Sequence, residues 1–285
     1  MKRIAVLGLG AMGARMAVRL IDAGFDVTVF NRSAARTEPL RKLGAGAAAT
    51  PAAAARDADV VLSMVRDDAA SAAVWDAAND GALSAMRPDA VAIECSTVSP
   101  RRVAALAANA QARGIALIDA PLAGSRPQAE AGALIFFAGG EQSVVASLAP
   151  VFDALGQATH YMGETGTGAA TKLVANALFG IQLAAIAELF GLADAQRLDA
   201  EELLDVLAAT PLVSPAAAVA GRAMLARQFA PAFPIELVAK DFDLVAATAA
   251  DVGIPLSKAT REVYRDAIAA GFGDANITGI VQRYR

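Results

Sequence analysis

The sequence is poor in the side chains that form disulfides or hold catalytic metals. Its 285 residues include one cysteine, Cys95, and one histidine, His160. A single cysteine cannot form a disulfide within the chain, so we expect a reducing, cytoplasmic setting. No Cys/His cluster exists for a catalytic zinc, and we expect no metal. A catalytic His/Asp pair would depend on His160 alone.

Charge is also sparse. Charged residues make up 19% of the chain and the net charge is −4, with no basic stretch typical of nucleic-acid binding. No window offers the roughly 18 uninterrupted apolar residues that a membrane span requires. Arg15 and Arg19 interrupt the apolar N-terminal stretch, which therefore differs from a signal peptide. We expect neither a nucleic-acid nor a membrane partner.

What is present is apolar sequence, 56% of the chain, in a regular pattern. In the first half, short apolar runs predict strands, with amphipathic segments between them. The predicted strands are 3–7, 26–30, 59–63, 90–94 and 115–119, then 133–138 and 159–162; the predicted helices are 11–23, 33–43, 68–78 and 100–113. This alternation predicts a doubly wound, mostly parallel sheet with helices on both faces.

The second half carries almost no strand signal. A long segment without proline, 169–197, predicts one long helix, and shorter helices are predicted at 200–209, 216–226, 235–252 and 257–270. The expected architecture is α/β: an N-terminal Rossmann-type domain, 1–163, and an all-helical domain, 164–285, joined by the long helix. That helix is rich in alanine and would expose much apolar surface in a monomer. We therefore expect a homodimer or homotetramer.

A glycine-rich motif follows the first predicted strand and opens the first predicted helix. Its residues are Gly8, Leu9, Gly10, Ala11, Met12 and Gly13, a GxGxxG pattern. The first glycine permits a tight turn, the second lets a pyrophosphate approach the backbone, and the third lets helix and strand pack closely. The pattern alone is weak, because glycine turns are common. Its placement in a strand–helix–strand unit favours a dinucleotide site over a plain turn.

The end of the second predicted strand bears on the choice of cofactor. NAD sites usually carry Asp or Glu there, to accept a hydrogen bond from the ribose 2′-hydroxyl. This chain has Asn31, Arg32 and Ser33, with Arg36 one turn later. A guanidinium can pair with a 2′-phosphate that a carboxylate would repel, so NADP(H) is favoured over NAD(H). Ser33 adds a hydroxyl and is expected to cap the next helix. The alternative is that Arg32 is an ordinary solvated charge.

Lysine is the rarer basic residue in this chain, with five among 25 Lys and Arg. An interior lysine is of interest because an amine can lose its proton near neutral pH, whereas a guanidinium cannot. Lys172 lies early in the predicted long helix, and Asn176 follows four residues later on the same face. The pair suggests proton exchange with a substrate oxygen that the amide orients. The alternative is a lysine paired with a carboxylate at a domain seam.

Taken together and in this order, the motifs resemble those of the β-hydroxyacid dehydrogenases. This group includes 3-hydroxyisobutyrate dehydrogenase and the tartronate-semialdehyde and glyoxylate/succinic-semialdehyde reductases. The resemblance covers nearly the whole chain. GLGAMG and NRS resemble the cofactor segments, ECSTVSP and DAPLAGSRPQAEAGAL the substrate segments, GTGAATKLVAN the catalytic GxGxxxKxxxN pattern, and AKDFDLV the late KD segment.

The resemblance implies a role for each matching residue. Lys172 would be the general acid and base, with Asn176 as its partner. Additional cofactor contacts would come from Met64, Val65, Thr97 and Lys240; the implied substrate contacts are Ser96, Thr97, Ala123, Gly124, Ser125, Phe233 and Asp241, besides Lys172 and Asn176.

Two positions of the substrate segment depart from the family's usual pattern. Ala123 stands where the family usually has serine, so one hydroxyl donor to the substrate is missing. Ser125 stands where many members have glycine, as in the glyoxylate/succinic-semialdehyde reductase branch. The first change implies weaker carboxylate binding or an unusual substrate, and the second favours that branch.

The resemblance implies an NADP(H)-dependent oxidoreductase that transfers hydride between nicotinamide and a small β-hydroxyacid or semialdehyde. One alternative is an imine reductase on the same fold, where Asp or Tyr commonly replaces the catalytic lysine. The other is a non-catalytic NADP-binding module, which loses the lysine and gains a partner-binding domain. Lys172 is present, which speaks against both alternatives.

Overall fold

The structure, a computed structural model, describes residues 2–285. The described chain divides into two compact units, residues 2–172 and Leu173–Arg285. A single helix, Thr167–Ala195, begins in the first unit and continues in the second. The boundary expected from the sequence, after Gly163, coincides with the end of the last strand, Gly156–Gly163, and so lies just before this helix.

The first unit is built on one sheet whose strands follow the predicted apolar runs. They are β1 (Arg3–Leu7), β2 (Asp26–Phe30), β3 (Gly46–Ala47), β4 (Val60–Ser63), β5 (Val91–Glu94), β6 (Ala116–Asp119), β7 (Leu122–Ala123), β8 (Leu134–Gly139) and β9 (Gly156–Gly163). Their order is β3-β2-β1-β4-β5-β6-β8-β7, with β9 paired to β8. Strands β1 to β6 pair in parallel, whereas β8 runs antiparallel to β6 and β7. The predicted mostly parallel sheet is confirmed.

Helices cover both faces of this sheet. They are α1 (Gly13–Asp22), α2 (Glu38–Arg41), α3 (Pro51–Ala55), α4 (Asp68–Trp75), α5 (Pro100–Gln111), α6 (Arg126–Ala131), α7 (Gln142–Ser147) and α8 (Ala149–Leu155). Two separate apolar clusters result: one includes Met16 and Leu20 of α1, and the other includes Val103 and Leu106 of α5. Strands enclosed in this way are buried on both sides, which explains their continuous apolar runs.

The strand order positions the site. β1 lies between β2 and β4, so the chain leaves β1 toward one side of the sheet and later returns to its other side. At such a switch point, the loops after two neighbouring strands turn in opposite directions and leave a crevice at the carboxyl edge of the sheet. The glycine motif follows β1 directly and therefore lies at this crevice.

The second unit is helical, as predicted. After α9 (Thr167–Ala195) come α10 (Ala200–Ala208), α11 (Pro215–Leu225), α12 (Ile235–Thr248) and α13 (Pro255–Ala267), and the chain ends in a π turn at Ile268–Phe272 and a 3₁₀ segment at Ile277–Arg283. The core of this unit includes the aromatic rings of Phe242 and Tyr264, which stack with centroids 5.8 Å apart. The buried Tyr264 hydroxyl donates to the carbonyl of Gly180 at 2.8 Å.

Short elements account for most differences from the sequence prediction. The two-residue strands β3 and β7 and the helices α3, α6, α7 and α8 were not predicted. The single helix expected over 33–43 is a 3₁₀ turn, Ala34–Thr37, followed by α2, in which Pro39 occupies the first turn. Ser33 precedes that turn, but its side chain makes no capping hydrogen bond, so the predicted capping role is wrong. Elements this short depend on tertiary contacts more than on local pattern.

Helix α9 bears on the expectation that no segment of the chain spans a membrane. By length and composition alone it is apolar enough to cross a membrane, although Asn176, Gln182 and Glu188 interrupt its apolar sequence. In the structure, 39% of its most apolar stretch is buried. A core helix passes the same test, so this is weak support for a membrane span.

Candidate functional site

The predicted residues of the first unit follow the carboxyl ends of four neighbouring strands. Gly8 follows β1, Asn31 follows β2 and Met64 follows β4, whereas Ser96 and Thr97 follow β5 after one intervening residue, Cys95. Because parallel strands end at the same edge, the fold brings these sequence-distant segments together. The sheet is therefore the device that assembles the candidate site.

Each glycine of the motif has a different local geometry. Gly8 adopts φ +97°, and a Cβ there would lie 2.5 Å from the carbonyl oxygen of Met64. A Cβ at Gly13 would collide with the Gly8 carbonyl oxygen, so helix and strand meet here backbone to backbone. Around Gly10, by contrast, a Cβ would have no heavy atom within 4 Å. Helix α1 starts without a side-chain cap, so no side chain stands between an anion and its first turn. This geometry fits a dinucleotide pyrophosphate.

Asn31 connects the glycine motif to the segment after β2. Its Oδ1 accepts the Leu9 N–H at 3.0 Å, and its Nδ2 donates to the Ser33 carbonyl at 3.0 Å. Arg36 donates from Nη1 to the Leu9 carbonyl at 3.2 Å. Asn31 and Arg36 thus shape the site through the backbone, while the side chains of Arg32 and Ser33 are exposed at its edge.

Beneath the loops after β4 and β5 lies a buried carboxylate, Glu94. Its Oε1 accepts from Ser63 Oγ at 2.7 Å and from the Ser96 N–H at 2.9 Å. Its Oε2 accepts from Ser71 Oγ at 2.6 Å and Trp75 Nε1 at 3.0 Å. Four donors offset the cost of burying this charge. Glu94 thereby joins β4 and β5 to α4.

The same network reaches the loop surface through Ser96. This residue is 1% exposed, and its hydroxyl accepts the Val65 N–H at 2.8 Å. The resemblance implied that Ser96 contacts substrate, but the structure places its side chain below the loop, where it holds Val65. Met64, Val65 and Thr97 are half-buried and form the upper layer.

The substrate segment begins at the short strand β7. Ala123 pairs with Ile135 of β8, and Gly124 adopts φ +118°. The Ser125 N–H donates to Gln128 Oε1 at 2.9 Å, which fixes the start of α6. Gly124 is exposed and Ser125 is half-buried. The turn thus leaves the Ser125 side chain at the surface of the segment, and Ala123 contributes only a methyl group.

Asp119, the last residue of β6, is buried and lies against the start of α9. Its Oδ1 accepts the Gly166 N–H and its Oδ2 accepts the Ala169 N–H, both at 2.7 Å. Burial raises the pKa of Asp119 to about 6, although hydrogen bonds from the backbone of Gly166, Ala169 and Gly168 act in the opposite direction. The half-buried Lys172 follows Ala169 by one helical turn.

In the second unit, a third buried carboxylate, Asp241, contacts two other predicted residues, Asn176 and Lys240. Asp241 is 3% exposed; its Oδ2 accepts from Asn176 Nδ2 at 2.6 Å, and its Oδ1 lies 2.9 Å from Lys240 Nζ. The amide of Asn176 is therefore held with its oxygen directed away from Asp241. Phe233 is half-buried near the start of α12, and its N–H donates to Asn276 Oδ1 at 2.9 Å.

Glu94 and Asp119 were not among the residues predicted from the sequence to form the site. A signal was available, because each acidic residue ends an otherwise apolar predicted strand, AVAIE or IALID. An acidic side chain at such a position is buried and requires donors. The donors come from loops and helices distant in sequence, which only the tertiary structure identifies.

Two family models together match nearly the whole chain. Residues 3–163 match the NAD binding domain of 6-phosphogluconate dehydrogenase, and residues 166–284 match the NAD-binding domain of NADP-dependent 3-hydroxyisobutyrate dehydrogenase. Glyoxylate/succinic semialdehyde reductase 1 of Arabidopsis thaliana is 30% identical over 98% of this chain and 97% of that protein. The NAD-dependent L-serine dehydrogenase of Pseudomonas aeruginosa is 31% identical over 99% of this chain and 97% of its own length.

Solved structures agree with these matches. The 3-hydroxyisobutyrate dehydrogenase of Mycobacterium tuberculosis with L-serine superposes with a TM-score of 0.90 at 28% identity, covering 100% of this chain and 99% of that one. Fold and site thus define a nicotinamide-dependent oxidoreductase that acts on CH–OH groups. The chain belongs to the β-hydroxyacid dehydrogenase family.

Proposed function

We propose that this protein is an NADP(H)-dependent dehydrogenase or reductase for a small β-hydroxyacid or semialdehyde, with Lys172 as its general acid and base. One observation carries the proposal. Asn176, one turn after Lys172 on α9, is held by the buried carboxylate of Asp241, which itself pairs with Lys240. In a member of this family, an amide fixed so close to a lysine along one helix is suited to orienting a substrate oxygen.

The preference for NADP(H) is supported by the segment after β2. No carboxylate occupies Asn31, Arg32 or Ser33, where an NAD site usually places one. Arg32, Ser33 and Arg36 are all exposed, but Arg36, like Asn31, bonds the glycine motif, so Arg32 and Ser33 are the pair suited to a 2′-phosphate. A relative of similar identity is NAD-dependent, and the discrimination therefore rests on these local side chains rather than on the family.

The chemistry divides between cofactor and protein. When bound, the nicotinamide supplies or takes up hydride at the substrate carbon. Lys172 donates a proton to the carbonyl oxygen during reduction and removes it from the hydroxyl during oxidation. Asn176 holds that oxygen in place by hydrogen bonding, and Asp241 keeps the Asn176 amide from rotating.

The proposed substrate class follows from the side chains of the two substrate segments, which contain Thr97 and residues 123–125. Thr97 and Ser125 offer hydroxyl donors for a carboxylate, and Gly124 leaves the segment open. The missing hydroxyl at Ala123 removes one such donor, so we expect weaker carboxylate binding or an uncommon substrate. Relatives act on glyoxylate or succinic semialdehyde, on L-serine and on 3-hydroxyisobutyrate. Together with tartronate semialdehyde, these compounds form the panel to test.

Replacement of the proposed acid and base is the first test. Lys172→Ala should lower kcat by about 100-fold or more, because general acid–base catalysis contributes roughly 100- to 10,000-fold. The Kd for NADPH, measured by nicotinamide fluorescence, should stay within about twofold of the wild-type value. A twofold change corresponds to less than ~0.5 kcal/mol of binding free energy. Lys258→Ala, an exposed lysine of α13, is the matched control and should leave both quantities unchanged. Turnover of the Lys172 variant near the wild-type rate would refute this role.

Two alternatives have distinct readouts. An imine reductase would reduce a cyclic imine such as 1-pyrroline faster than any semialdehyde of the panel. A non-catalytic NADP-binding module would bind NADPH without oxidising it in the presence of any of these compounds. The retained Lys172 favours the hydroxyacid chemistry over both.

A further inference from the structure

We propose that Asp119 is a positioning residue for Lys172: it fixes the first turn of α9 and thereby the place from which the lysine amine acts. This inference rests on the proposed role of Lys172. It concerns a carboxylate that lies at the end of β6, immediately before the substrate segment, and that does not itself exchange a proton with substrate.

The contacts define a two-point attachment. Oδ1 accepts the Gly166 N–H just before the helix, and Oδ2 accepts the Ala169 N–H in its first turn, both at 2.7 Å. Ala169 is 2% exposed, so the attached turn is part of the core. A rigid helix carries any shift of this turn directly to Lys172, three residues farther along.

Two glycines make this close approach possible. A Cβ at Gly168 would lie 2.9 Å from Oδ2 and 2.6 Å from the carbonyl oxygen of Asp119, and it would collide with the Phe137 carbonyl oxygen. A Cβ at Gly139 of β8 would lie 2.7 Å from Oδ1. Backbone therefore surrounds the carboxylate closely, and the start of α9 has no room to shift toward β6.

A carboxylate suits this position better than an amide. It accepts at both oxygens, whereas an asparagine side chain accepts at one atom and donates at the other. Its charge also faces the positive end of a helix of 29 residues. The carboxylate of Asp119 therefore controls both the position of the turn that precedes Lys172 and the electrostatic potential there.

The neighbouring elements supply the remaining charges. Glu94 of β5 is the register partner of Asp119 on the neighbouring strand β6. Glu164 lies in the turn between β9 and α9, and Lys172 lies on α9 itself. Burial raises the pKa of Asp119 to about 6. Below that pH the Asp119 carboxylate is protonated and loses the negative charge that strengthens its hydrogen bonds from the Gly166 and Ala169 N–H groups. Wild-type kcat should therefore decrease as the pH falls through about 6.

The test compares Asp119→Asn with wild type in steady-state kinetics. The variant should lower kcat at least about tenfold, since a misplacement of about 1 Å can cost roughly 100-fold. Its KM for substrate and for NADPH should change less than threefold, because no binding group is removed. The decrease of kcat near pH 6 should also disappear. Gly168→Ala, which pushes the same turn away from β6 and keeps the carboxylate of Asp119, should give the same split between kcat and KM.

Asp199→Ala is the control. Oδ1 of Asp199 accepts the N–H groups of Glu201 and Glu202 at the start of α10, at 2.8 and 3.0 Å, so this change removes a carboxylate attachment at the start of another helix. It should lower thermal stability and leave kcat unchanged. An equal loss of kcat in this variant would show that Asp119 acts only through general stability.

Two further readouts do not depend on turnover. Amide hydrogen exchange in residues 166–172 should be about tenfold faster in Asp119→Asn, as expected for loss of a charged hydrogen bond. The labelling rate of Lys172 by an amine-reactive reagent should change, while that of the exposed Lys258 should not. Unchanged exchange and labelling would overturn the inference even if the enzyme were inactive.

The kinetic outcomes separate the two proposals. If wild type turns over, Lys172→Ala is inactive and Asp119→Asn keeps full kcat, the proposed function stands and the positioning role is wrong. If Lys172→Ala retains activity, the proposed role of Lys172 is wrong. Exchange and labelling then decide whether Asp119 holds the helix and sets the environment of Lys172.

Discussion

Individual side chains at the carboxyl edge of the sheet divide between those that hold the glycine motif by hydrogen bonds and those that do not and are therefore suited to contact a ligand. Asn31 and Arg36 belong to the first group, since both bond the glycine motif. Arg32 and Ser33 belong to the second. The two arginines cannot be told apart by sequence position, because both lie within reach of the same loop. The hydrogen bond from Arg36 to Leu9 distinguishes them.

Arg32 should therefore set the cofactor preference. Arg32→Ala should lower kcat/KM for NADPH by about 10- to 100-fold, the loss expected for a charged hydrogen bond to phosphate worth roughly 1.5–3 kcal/mol. The value for NADH should change little, because NADH lacks the 2′-phosphate. Steady-state assays with both cofactors measure the ratio. Arg56→Ala, an exposed arginine shortly before β4 and hence at the amino edge of the sheet, is the control. An unchanged ratio in Arg32→Ala would contradict the proposed preference.

At the level of secondary structure elements, buried carboxylates connect strands and helices that the backbone hydrogen bonds of the sheet do not connect. Glu94 joins β4, β5 and α4 and reaches the loop of Val65 through Ser96. Asp119 joins β6 to α9. Each carboxylate lies at the end of a parallel strand, where the ladder ends and backbone N–H groups of the next loop need acceptors.

Substitution of Glu94 by glutamine tests the first connection. Glutamine keeps the shape but replaces an oxygen that accepts two hydrogen bonds with an NH₂ group, so buried donors face each other. We expect the free energy of unfolding to fall by about 2 kcal/mol, from the cost of unpaired buried polar groups. Binding of NADPH should also weaken, since the loop at Val65 loses its support. Chemical denaturation and fluorescence titration measure the two effects.

Glu201→Gln, an exposed glutamate in the first turn of α10, should change neither quantity measurably. Wild-type stability and NADPH affinity in the Glu94 variant would show that its network is dispensable.

The prediction of elements was most accurate where periodicity extended over many residues. The five central strands and the long helix α9 match their predicted ranges closely. The two-residue strands β3 and β7 carry too few side chains for a periodic signal. The helices α6, α7 and α8 are also short, with six or seven residues each. They form because neighbouring strands and α1 provide surfaces on which they pack.

At the scale of the whole molecule, the feature that needs an explanation is an exposed apolar surface of α9. We call it the apolar stripe of α9 and define it as Val174, Leu178, Leu189 and Leu192. These side chains are 70%, 59%, 45% and 54% exposed. At 100° per residue they lie on one side of the helix. We propose that a second copy of the chain covers this stripe, since exposed apolar patches of this kind mark interfaces in soluble proteins.

A charge within the stripe should dissociate the assembly. We expect wild-type protein at micromolar concentration to scatter light as a dimer or tetramer, and Leu178→Glu to shift it toward monomer, because a buried unpaired carboxylate is costly. Val252→Glu, an equally exposed apolar position outside the stripe, should leave the mass unchanged. A monomeric wild type that instead sediments with phospholipid vesicles would favour the membrane interpretation of α9.

The sequence alone determined the order of the elements, the position of the glycine motif and the family to which the chain belongs. It did so because strand and helix periods, glycine turns and short motifs are local properties that successive residues encode directly. The tertiary structure decided which buried acids hold the site. Glu94 and Asp119 obtain their donors from residues 19 or more positions away in the chain, apart from the Ser96 N–H two residues after Glu94. Such pairings depend on how the strands are ordered in the sheet, which no local pattern specifies.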